Sequence, residues 1–407
     1  MSRTELVAGL DIGTTKICMV IAECHSGGRL DVIGEGLESS RGIQRGVVVD
    51  IEETAQAIRQ AVDKAERVAG AQVSHVFVGV TGEHVSSMNS RGIVAITHSQ
   101  HQIRQEDVDR AIDSARVVVL PPEREIIHAI PRGFSIDGQD GIHSPVGMSG
   151  SRLEVETHIV HGVTSFLQNL AKCVDKAGLQ IEGLVLQSFA DAHAVLTEAE
   201  KHLGVVLVDM GGGTTDVAIF TNGNISHSAV LGVGGKNVSQ DLAVGLQCSL
   251  AEAERVKIVA GSAKTALLPG DDKFSFCRIG LDQPSALPGQ LLVEIIEPRM
   301  TEIFQMVDAV IQKSGCKGRT PGGVVLTGGG SLLRGGVQLA EETLGMPVRL
   351  GKLQAVGGIS QTVEDPAHAT AVGLAIYGSH YDNVDDEPET KGVRRLFQNV
   401  KAFLGGD

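Results

Sequence analysis

The sequence predicts an α/β protein whose core is duplicated, and two short segments carry that prediction. One runs from Val7 to Lys16 and the other from Val205 to Asp216. In each, an apolar run typical of a buried strand ends at an aspartate, glycine and threonine follow, and a second apolar run begins. That order predicts a strand, a tight turn and a second strand. We therefore expect two similar lobes, each built on the same hairpin.

Composition and charge bound the function classes. A chain of 407 residues that is 42% hydrophobic and 21% charged is typical of a soluble protein of two domains. Its net charge of −14 argues against a nucleic-acid-binding surface, so no nucleic-acid partner is expected. The six scattered cysteines form no CxxC pair, which predicts reduced thiols of a cytosolic protein. We expect neither a signal peptide nor a membrane-spanning helix.

The first half of the chain contains the elements of one complete lobe. Residues 6–22 predict the hairpin and Arg29–Glu38 a third strand. Apolar residues at helical spacing predict a helix over Ile51–Val68, and Val73–Val80 predicts a strand buried on both faces. This β-β-β-α-β order is that of the RNase H-like core. A helix over 164–177 and a strand over 181–186 are expected to follow.

Residues 84–161 differ in character from the lobe around them. The sequence predicts a helix over Gln105–Val117, strands over Ile126–Ile130 and Leu153–Val160, and a Gly-, Ser- and Pro-rich loop over Asp137–Ser151. We interpret this stretch as a small inserted α+β subdomain.

The second half repeats the hairpin and then continues with helices. The sequence predicts helices over Lys236–Val244, Leu250–Val259 and Leu291–Lys313, an irregular stretch over 262–290, a buried strand over Pro321–Thr327 and a last helix over Ala367–Tyr377.

The two hairpin turns have the chemistry of a phosphate site. Glycine permits the close backbone approach that a phosphate needs, and threonine hydroxyls with backbone N–H groups supply donors. The aspartates at the strand ends, Asp11 and Asp209, are expected to face a Mg²⁺ ion through its waters. The predicted phosphate-binding residues are Gly13, Thr14, Thr15, Lys16, Gly211, Gly212, Gly213, Thr214 and Thr215.

Other residues are candidates for the remainder of a nucleotide site. A third glycine turn at Gly328, Gly329, Gly330 and Ser331 follows a buried strand, and such a turn lets the backbone approach a flat ring. Gly234 lies in a further glycine-rich turn. Glu254 and Lys257 are spaced to offer polar contacts to a sugar, although solvated helix charges explain them as well. Gln187 is a candidate for orienting an attacking water, or a structural amide.

These segments resemble the actin/Hsp70/sugar-kinase superfamily over residues 5–380. The matching motifs are phosphate-1 (Leu10–Thr15), phosphate-2 (Val208–Thr215) and adenosine (Val325–Ser331). The resemblance implies ATP and Mg²⁺ between the halves, with Asp11 and Asp209 holding the hydrated metal and acting with Gln187 in any slow hydrolysis. The superfamily's proline after that glutamine is Ser188 here, which leaves the hydrolysis rate open.

The C-terminal segment predicts a linked amphipathic helix. Residues 381–392 contain five acidic residues, and this composition predicts a linker. In 393–404 the apolar residues fall on one helical face with basic residues beside them, and about 18 Å of helix is too short to cross a bilayer. It is therefore expected to lie on an anionic membrane surface, although docking on a protein remains open. The predicted membrane-contacting residues are Val393, Arg394, Arg395, Leu396, Phe397, Val400, Lys401, Phe403 and Leu404.

The insert and the tail together resemble the FtsA family of bacterial cell-division proteins. The stretches 40–46, 145–150 and 294–299 fit that family. The resemblance implies a polymer at the cytoplasmic face of the membrane at the division site. The polymer would tether the tubulin-like division-ring GTPase through that protein's C-terminal peptide and recruit later division proteins. Arg299 is a candidate for contacting the ring protein only because it is a cation beside the region expected to bind it.

The resemblance also implies a division into subdomains. Subdomain 1A would comprise 1–83, 162–191 and 367–380, and subdomain 1C would be the insert 84–161. Subdomain 2A would comprise 192–235 and 301–366, and subdomain 2B, the expected ring-protein site, 236–300. The alternatives are a pilus-assembly relative, which would lack the tail, and a sugar kinase, for which no well-placed catalytic base is seen in the first half. A chaperone ATPase would need a substrate domain for which the chain is too short.

Overall fold

The computed structural model describes residues 5–25, 29–97, 101–268, 273–281, 283–354, 356–359 and 364–382. The strands within these ranges are β1 (Glu5–Ile12), β2 (Lys16–Cys24), β3 (Leu30–Ser39), β4 (Ile43–Gln44), β5 (Val47–Val48), β6 (His75–Val80), β7 (Ser86–Ala95), β8 (Arg124–Ile136), β9 (Gln139–Ile142), β10 (Arg152–Val163), β11 (Gln180–Leu186), β12 (Val205–Met210), β13 (Thr215–Thr221), β14 (Asn224–Leu231), β15 (Lys273–Phe276), β16 (Ser285–Pro288), β17 (Val324–Thr327), β18 (Val348–Leu350) and β19 (Val356–Gly358). The α-helices of the described residues are α1 (Ile51–Ala69), α2 (Gln105–Arg116), α3 (Thr164–Lys176), α4 (Gln187–Val195), α5 (Glu198–Leu203), α6 (Gly235–Leu246), α7 (Leu250–Ala260), α8 (Gln290–Lys313), α9 (Gly336–Leu344) and α10 (Ala369–Asp382).

The two main sheets have the same topology, which confirms the predicted duplication. In the first, β3, β2 and β1 are antiparallel neighbours, and β6 and β11 continue the sheet in parallel. In the second, β14, β13 and β12 are antiparallel, and β17 and β18 continue in parallel. The first sheet gains one strand more, because β19 pairs with β3 after the chain has left the second sheet. The fold is a duplicated RNase H-like α/β fold.

Helices cover both faces of both sheets, because the strands of each sheet are apolar on both sides. Helices α1 and α3 pack on the outer face of the first sheet, and α6, α8 and α9 cover the outer face of the second. Between the two sheets lie α4 and α10, whose small side chains allow close packing. Gly373 on α10 shows how close: a Cβ there would meet the Ala190 carbonyl oxygen at 2.1 Å.

The segment that precedes α3 forms a separate small sheet, as predicted. Strands β7, β10, β8 and β9 lie side by side, and α2 packs on them around its own core. This sheet meets the second lobe through polar contacts. The imidazole of His158 on β10 hydrogen-bonds Asn89 Oδ1 at 2.8 Å and the Ser228 hydroxyl of β14 at 2.9 Å.

Several predicted boundaries were wrong. The stretch 262–290 is not irregular throughout, since β15 and β16 pair in it. The expected loop 137–151 contains β9, and the last helix begins two residues later than predicted and extends to Asp382. Within the described ranges no helix combines the length and the apolar character needed to cross a bilayer. The predicted membrane helix, 393–404, lies outside the described residues, as does nearly all of the acidic linker.

Candidate functional site

The two hairpin turns are built alike and touch each other. The Gly13 N–H donates to the Lys16 carbonyl at 3.0 Å, and the Gly211 N–H donates to the Thr214 carbonyl at 2.9 Å. A Cβ at Gly212 would lie 2.3 Å from Thr15 Cγ2, closer than side chains pack. Glycine is thus required in the second turn for the first to reach it.

The third glycine turn lies against the end of β12. Gly328 has φ of 78°, and a Cβ there would fall 2.0 Å from Asp209 Oδ1. The Ser331 hydroxyl donates to the Gly328 carbonyl at 2.6 Å, which fixes the turn. Because β17 runs parallel to β12, the carboxyl ends of both strands meet at one edge, as ligand sites in α/β sheets require.

A cavity of about 480 Å³ opens where the three turns meet. Thr15, Lys16, Gly212 and Gly330 are among its walls, together with the backbone of Ala367. The other lining residues are Gly211, Gly235, Lys236, Val238, Glu254, Lys257, Ile258, Gly261, Met300, Gly329, Leu332, Leu333 and Arg334. A lining of apolar side chains together with glycine backbone suits a ligand with a flat ring and an anionic part.

Some predicted site residues support the turns instead of lining the cavity. The Thr215 hydroxyl is buried and donates to the Val233 carbonyl at 2.8 Å. Thr14 Oγ1 accepts from the Gly46 N–H at 3.1 Å, and it also faces Gly213, where a Cβ would lie 2.5 Å away. The remaining predicted residues outside the lining are Asp11, Gly13, Gln187, Asp209, Thr214, Gly234, Gly328 and Ser331.

Glu254 and Lys257 form a pair at the cavity wall. The Lys257 ammonium donates to Glu254 Oε2 at 2.8 Å and to the Gly235 carbonyl at 3.0 Å. Glu254 also accepts from the Ser239 hydroxyl. The i, i+3 spacing therefore ties α7 to the first turn of α6, and it leaves both side chains at the cavity.

Two buried carboxylates lie at the carboxyl ends of β1 and β12, just before the hairpin turns, and neither is part of the cavity lining. Asp11 and Asp209 are only 5% and 6% exposed. Burial raises the pKa of Asp11 to about 6, and burial with the charge of Asp11 raises the pKa of Asp209 to about 7. The Lys16 ammonium opposes both shifts, although it donates to the Ala367 carbonyl and does not pair with either carboxylate. Two oxygen donors with so little compensating charge are suited to a hard divalent cation.

Gln187 is the first residue of α4, a helix that the sequence analysis missed. Its amide is 4% exposed and donates to Asp11 Oδ1 at 2.8 Å. Gly79 on β6 makes room for it, since a Cβ at Gly79 would lie 3.0 Å from Gln187 Cγ. Gln187 therefore contacts Asp11 directly, and its role in orienting a water stays a prediction.

Sequence reasoning missed two further buried carboxylates that lie near Asp11 and Asp209. Asp216 on β13 is fully buried, and the Thr81 hydroxyl lies 2.7 and 2.8 Å from its two carboxylate oxygens. Asp191 on α4 is also fully buried; burial and the charge of Asp209 raise its pKa well above the usual range. The signal was available for Asp191, which follows Gln187 by four residues and so shares its helical face.

Comparison with known proteins places this arrangement in a family. A model of the SHS2 domain inserted in FtsA matches residues 82–161, and a model of cell division protein FtsA matches residues 206–373. Cell division protein FtsA of Pseudomonas aeruginosa is 42% identical over 412 residues, covering 98% of each chain. The chain belongs to the FtsA family of cell-division proteins. FtsA of Escherichia coli K12 is 34% identical, over 98% of this chain and 95% of its own.

Solved structures agree with the FtsA assignment at the level of the fold. The PilM-PilN type IV pilus biogenesis complex superposes with a TM-score of 0.67 at 18% identity, covering 92% of this chain and 98% of that one. MreB5 of Spiroplasma citri, in a structure bound to ADP, superposes with a TM-score of 0.58 at 14% identity, covering 94% and 99%. The chain is therefore an actin-like cell-division protein of the FtsA family.

Proposed function

We propose that this protein is an ATP-dependent scaffold that links the division ring to the membrane. The observation that carries the proposal is the meeting of three glycine turns at one cavity between duplicated lobes. Asp11 and Asp209 are buried at the strand ends that lead into two of these turns. Family membership supplies the cellular context, which is the division site.

In this proposal the cavity takes ATP with Mg²⁺. Asp11 and Asp209 would hold the hydrated metal, which supplies charge neutralisation for the phosphates. The backbone N–H groups of the two hairpin turns would bind the phosphates, with Lys16 as the cation at the cavity wall. The two carboxylates suit a metal ion, because both are buried and have raised pKa values that a bound cation would lower.

The far end of the cavity would receive the nucleoside. Glu254 and Lys257 offer polar groups for the ribose, and the glycine turn with Gly329 and Gly330 offers flat backbone for the base. Gln187 would orient a water for slow hydrolysis. Its hydrogen bond to Asp11 supports this role, because it holds the amide at the metal-binding carboxylate.

The ring protein would bind at 236–300, and the exposed apolar residues of that region support this site. Val244 and Ile279 are 80% and 72% exposed. The Ile279 N–H donates to the Gln247 carbonyl at 2.9 Å, which places its segment at the end of α6. Arg299 is not a free cation for this contact, since it donates to Asp241 at 2.6 and 3.2 Å and pairs with Glu302.

Attachment to the inner membrane face would come from residues 393–404, and polymerisation would multiply their weak individual affinity. The subdomain division given above stays a prediction, as does recruitment of later division proteins. The pilus and sugar-kinase alternatives are disfavoured by the family membership.

Co-sedimentation with anionic liposomes tests the proposal. The full chain, with and without ATP–Mg²⁺, is compared with a chain ending at Asp382 and with the variant Phe397→Glu. We expect only the wild-type full chain to pellet, and more strongly with ATP. All three proteins should bind nucleotide equally. Equal pelleting by the truncated chain would contradict the membrane role. Failure of the full chain to bind ATP would contradict the nucleotide role independently.

A further inference from the structure

Three potential metal ligands from distant parts of the chain meet beside the nucleotide cavity. They are Cys18 on β2, Glu35 on β3 and His368, which ends the short helical turn Pro366–His368 before α10. One ligand atom from each lies within 4.8 Å of the other two. His368 Nε2 lies 2.8 Å from Glu35 Oε1. We name these residues the Cys–Glu–His cluster.

The backbone places the side chains of Cys18 and Glu35 on one face of the first sheet. Gly34 and Gly36 face α1, where a Cβ would meet the Ala65 carbonyl at 2.5 Å and the Ala61 carbonyl at 1.9 Å. Side chains alternate along a strand, so Glu35 between them points to the opposite face, toward α10. Cys18 lies on that same face, within the core that α4 and α10 form.

The cluster is buried enough to form a defined site. Cys18 is 0% exposed, and the side chains of Glu35 and His368 are 13% and 10% exposed. Burial raises the pKa of the Cys18 thiol to about 12, so the metal-free cysteine is a neutral thiol and would lose its proton to a bound metal.

We propose that Cys18, Glu35 and His368 bind a Zn²⁺ ion. Thiolate, imidazole and carboxylate are the ligands that Zn²⁺ takes in proteins, and three of them leave a fourth tetrahedral position for water. Tetrahedral bonds of the usual lengths separate ligand atoms by about 3.5 Å. The cluster fits that spacing if Glu35 and His368, now in contact, separate by a fraction of an ångström.

This site is distinct from the nucleotide site, yet next to it. Cys18 pairs with Asp11 across β1 and β2, so the proposed zinc lies one strand away from the carboxylate that faces the nucleotide. Ala367, the neighbour of His368, lines the cavity and accepts from Lys16. A zinc ion would therefore fasten the turn that carries Ala367 to β2 and β3, and would set the position of one cavity wall.

Cobalt substitution in the full-length, metal-free protein tests the inference, because Co²⁺ bound to a thiolate gives a charge-transfer band in the near ultraviolet. We expect one equivalent of Co²⁺ to produce that band. Added Zn²⁺ should displace the Co²⁺ and so remove the band. Cys18→Ser should abolish the band, and His368→Gln should weaken Co²⁺ binding at least tenfold. Cys173→Ser is the matched control, since that buried thiol lies on α3 outside the cluster; it should keep the band.

Two further variants separate this site from the nucleotide metal site and from misfolding. Asp209→Asn should keep the thiolate band, because Asp209 is not a cluster member. Glu35→Gln retains the size of the side chain and should weaken Co²⁺ binding if the protein keeps its far-ultraviolet circular dichroism. The proposal is overturned if the wild-type protein gives no thiolate band, or if Cys18→Ser keeps it. A folded Glu35→Gln and a folded His368→Gln that both bind Co²⁺ as tightly as wild type would also overturn it.

Discussion

The side-chain amide of Gln187 donates a 2.8 Å hydrogen bond to the carboxylate of Asp11. The bond joins the first residue of α4 to the penultimate residue of β1, 176 positions earlier in the chain. The carboxylate of Asp11, just before the first hairpin turn, is thus held by a residue from the segment that leads into the second lobe. If Asp11 binds the metal as proposed, this contact couples its position to that of α4.

Replacing Gln187 should separate hydrolysis from binding. We expect Gln187→Ala to lower the single-turnover rate of ATP hydrolysis about 100-fold, because the attacking water loses its positioning group. The dissociation constant for ATP should change less than about threefold, which is under 1 kcal/mol. Rapid-quench measurements on wild type and variant supply the rates. An unchanged rate would mean that Gln187 is a structural amide.

The contact between the two hairpin turns can be tested with one methyl group. Gly212→Ala places a Cβ against Thr15, so the turns must move apart, and we expect ATP affinity to fall about tenfold or more, or 1.4 kcal/mol. Gly133→Ala is the control, because a Cβ there meets nothing within 4 Å, and it should bind like wild type. Isothermal titration measures both. Equal affinities would show that the turns do not need to touch.

The buried carboxylate of Asp216 should depend on the hydroxyl of Thr81. Thr81→Val keeps the shape of the side chain but removes the donor that lies 2.7 and 2.8 Å from the carboxylate. We expect a loss of about 1–3 kcal/mol in the free energy of unfolding. Thr81→Ser retains the hydroxyl and should lose less. Urea denaturation compares them, and a Val variant as stable as the Ser variant would contradict the expectation.

His128 should make stability fall in mild acid. Burial lowers its pKa to about 4, and its Nε2 accepts the Leu186 N–H at 3.0 Å. The unfolded chain therefore takes up the proton first, so stability is present above pH 6.5 and is lost as pH falls toward 4. Between pH 7 and pH 5 the protonation of His128 should lower the free energy of unfolding by about 2 kcal/mol.

The matched variant for this effect is His128→Gln, which cannot titrate. Urea denaturation measures how far the free energy of unfolding falls between pH 7 and pH 5. We expect this decrease to be about 2 kcal/mol smaller in the variant than in wild type. The other buried histidines, such as His158, still titrate in both proteins. An identical loss in wild type and variant would show that His128 is not held neutral by the fold.

The sequence predicted the parts of the fold whose pattern is local. The hairpin at Val205–Asp216 and the helix at Ile51 were found because alternation, glycine and helical spacing occur within a few residues. The α4 helix was missed for the opposite reason. It is buried on nearly all sides between two sheets, and its polar residues Gln187 and Asp191 are buried as well, so no alternation of a solvent-facing polar side with an apolar side marks it in the sequence.

Strands whose pairing depends on a distant partner were also missed. β7 is largely polar and exposed, and it becomes a strand because β10 pairs with it some seventy positions later. β15 and β16 have four residues each, too few for an alternation to stand out. The contact between Gln187 and Asp11 and the Cys–Glu–His cluster belong to this class, because only the topology brings their members together.

The chain passes from the first sheet to the second through α4 and α5, and it returns between β18 and β19 to end on the first sheet. Two covalent crossings in opposite directions join the halves. Two connections limit how far the lobes can separate or twist against each other, and rotation about the line that joins the two crossings is the relative movement that this connectivity hinders least.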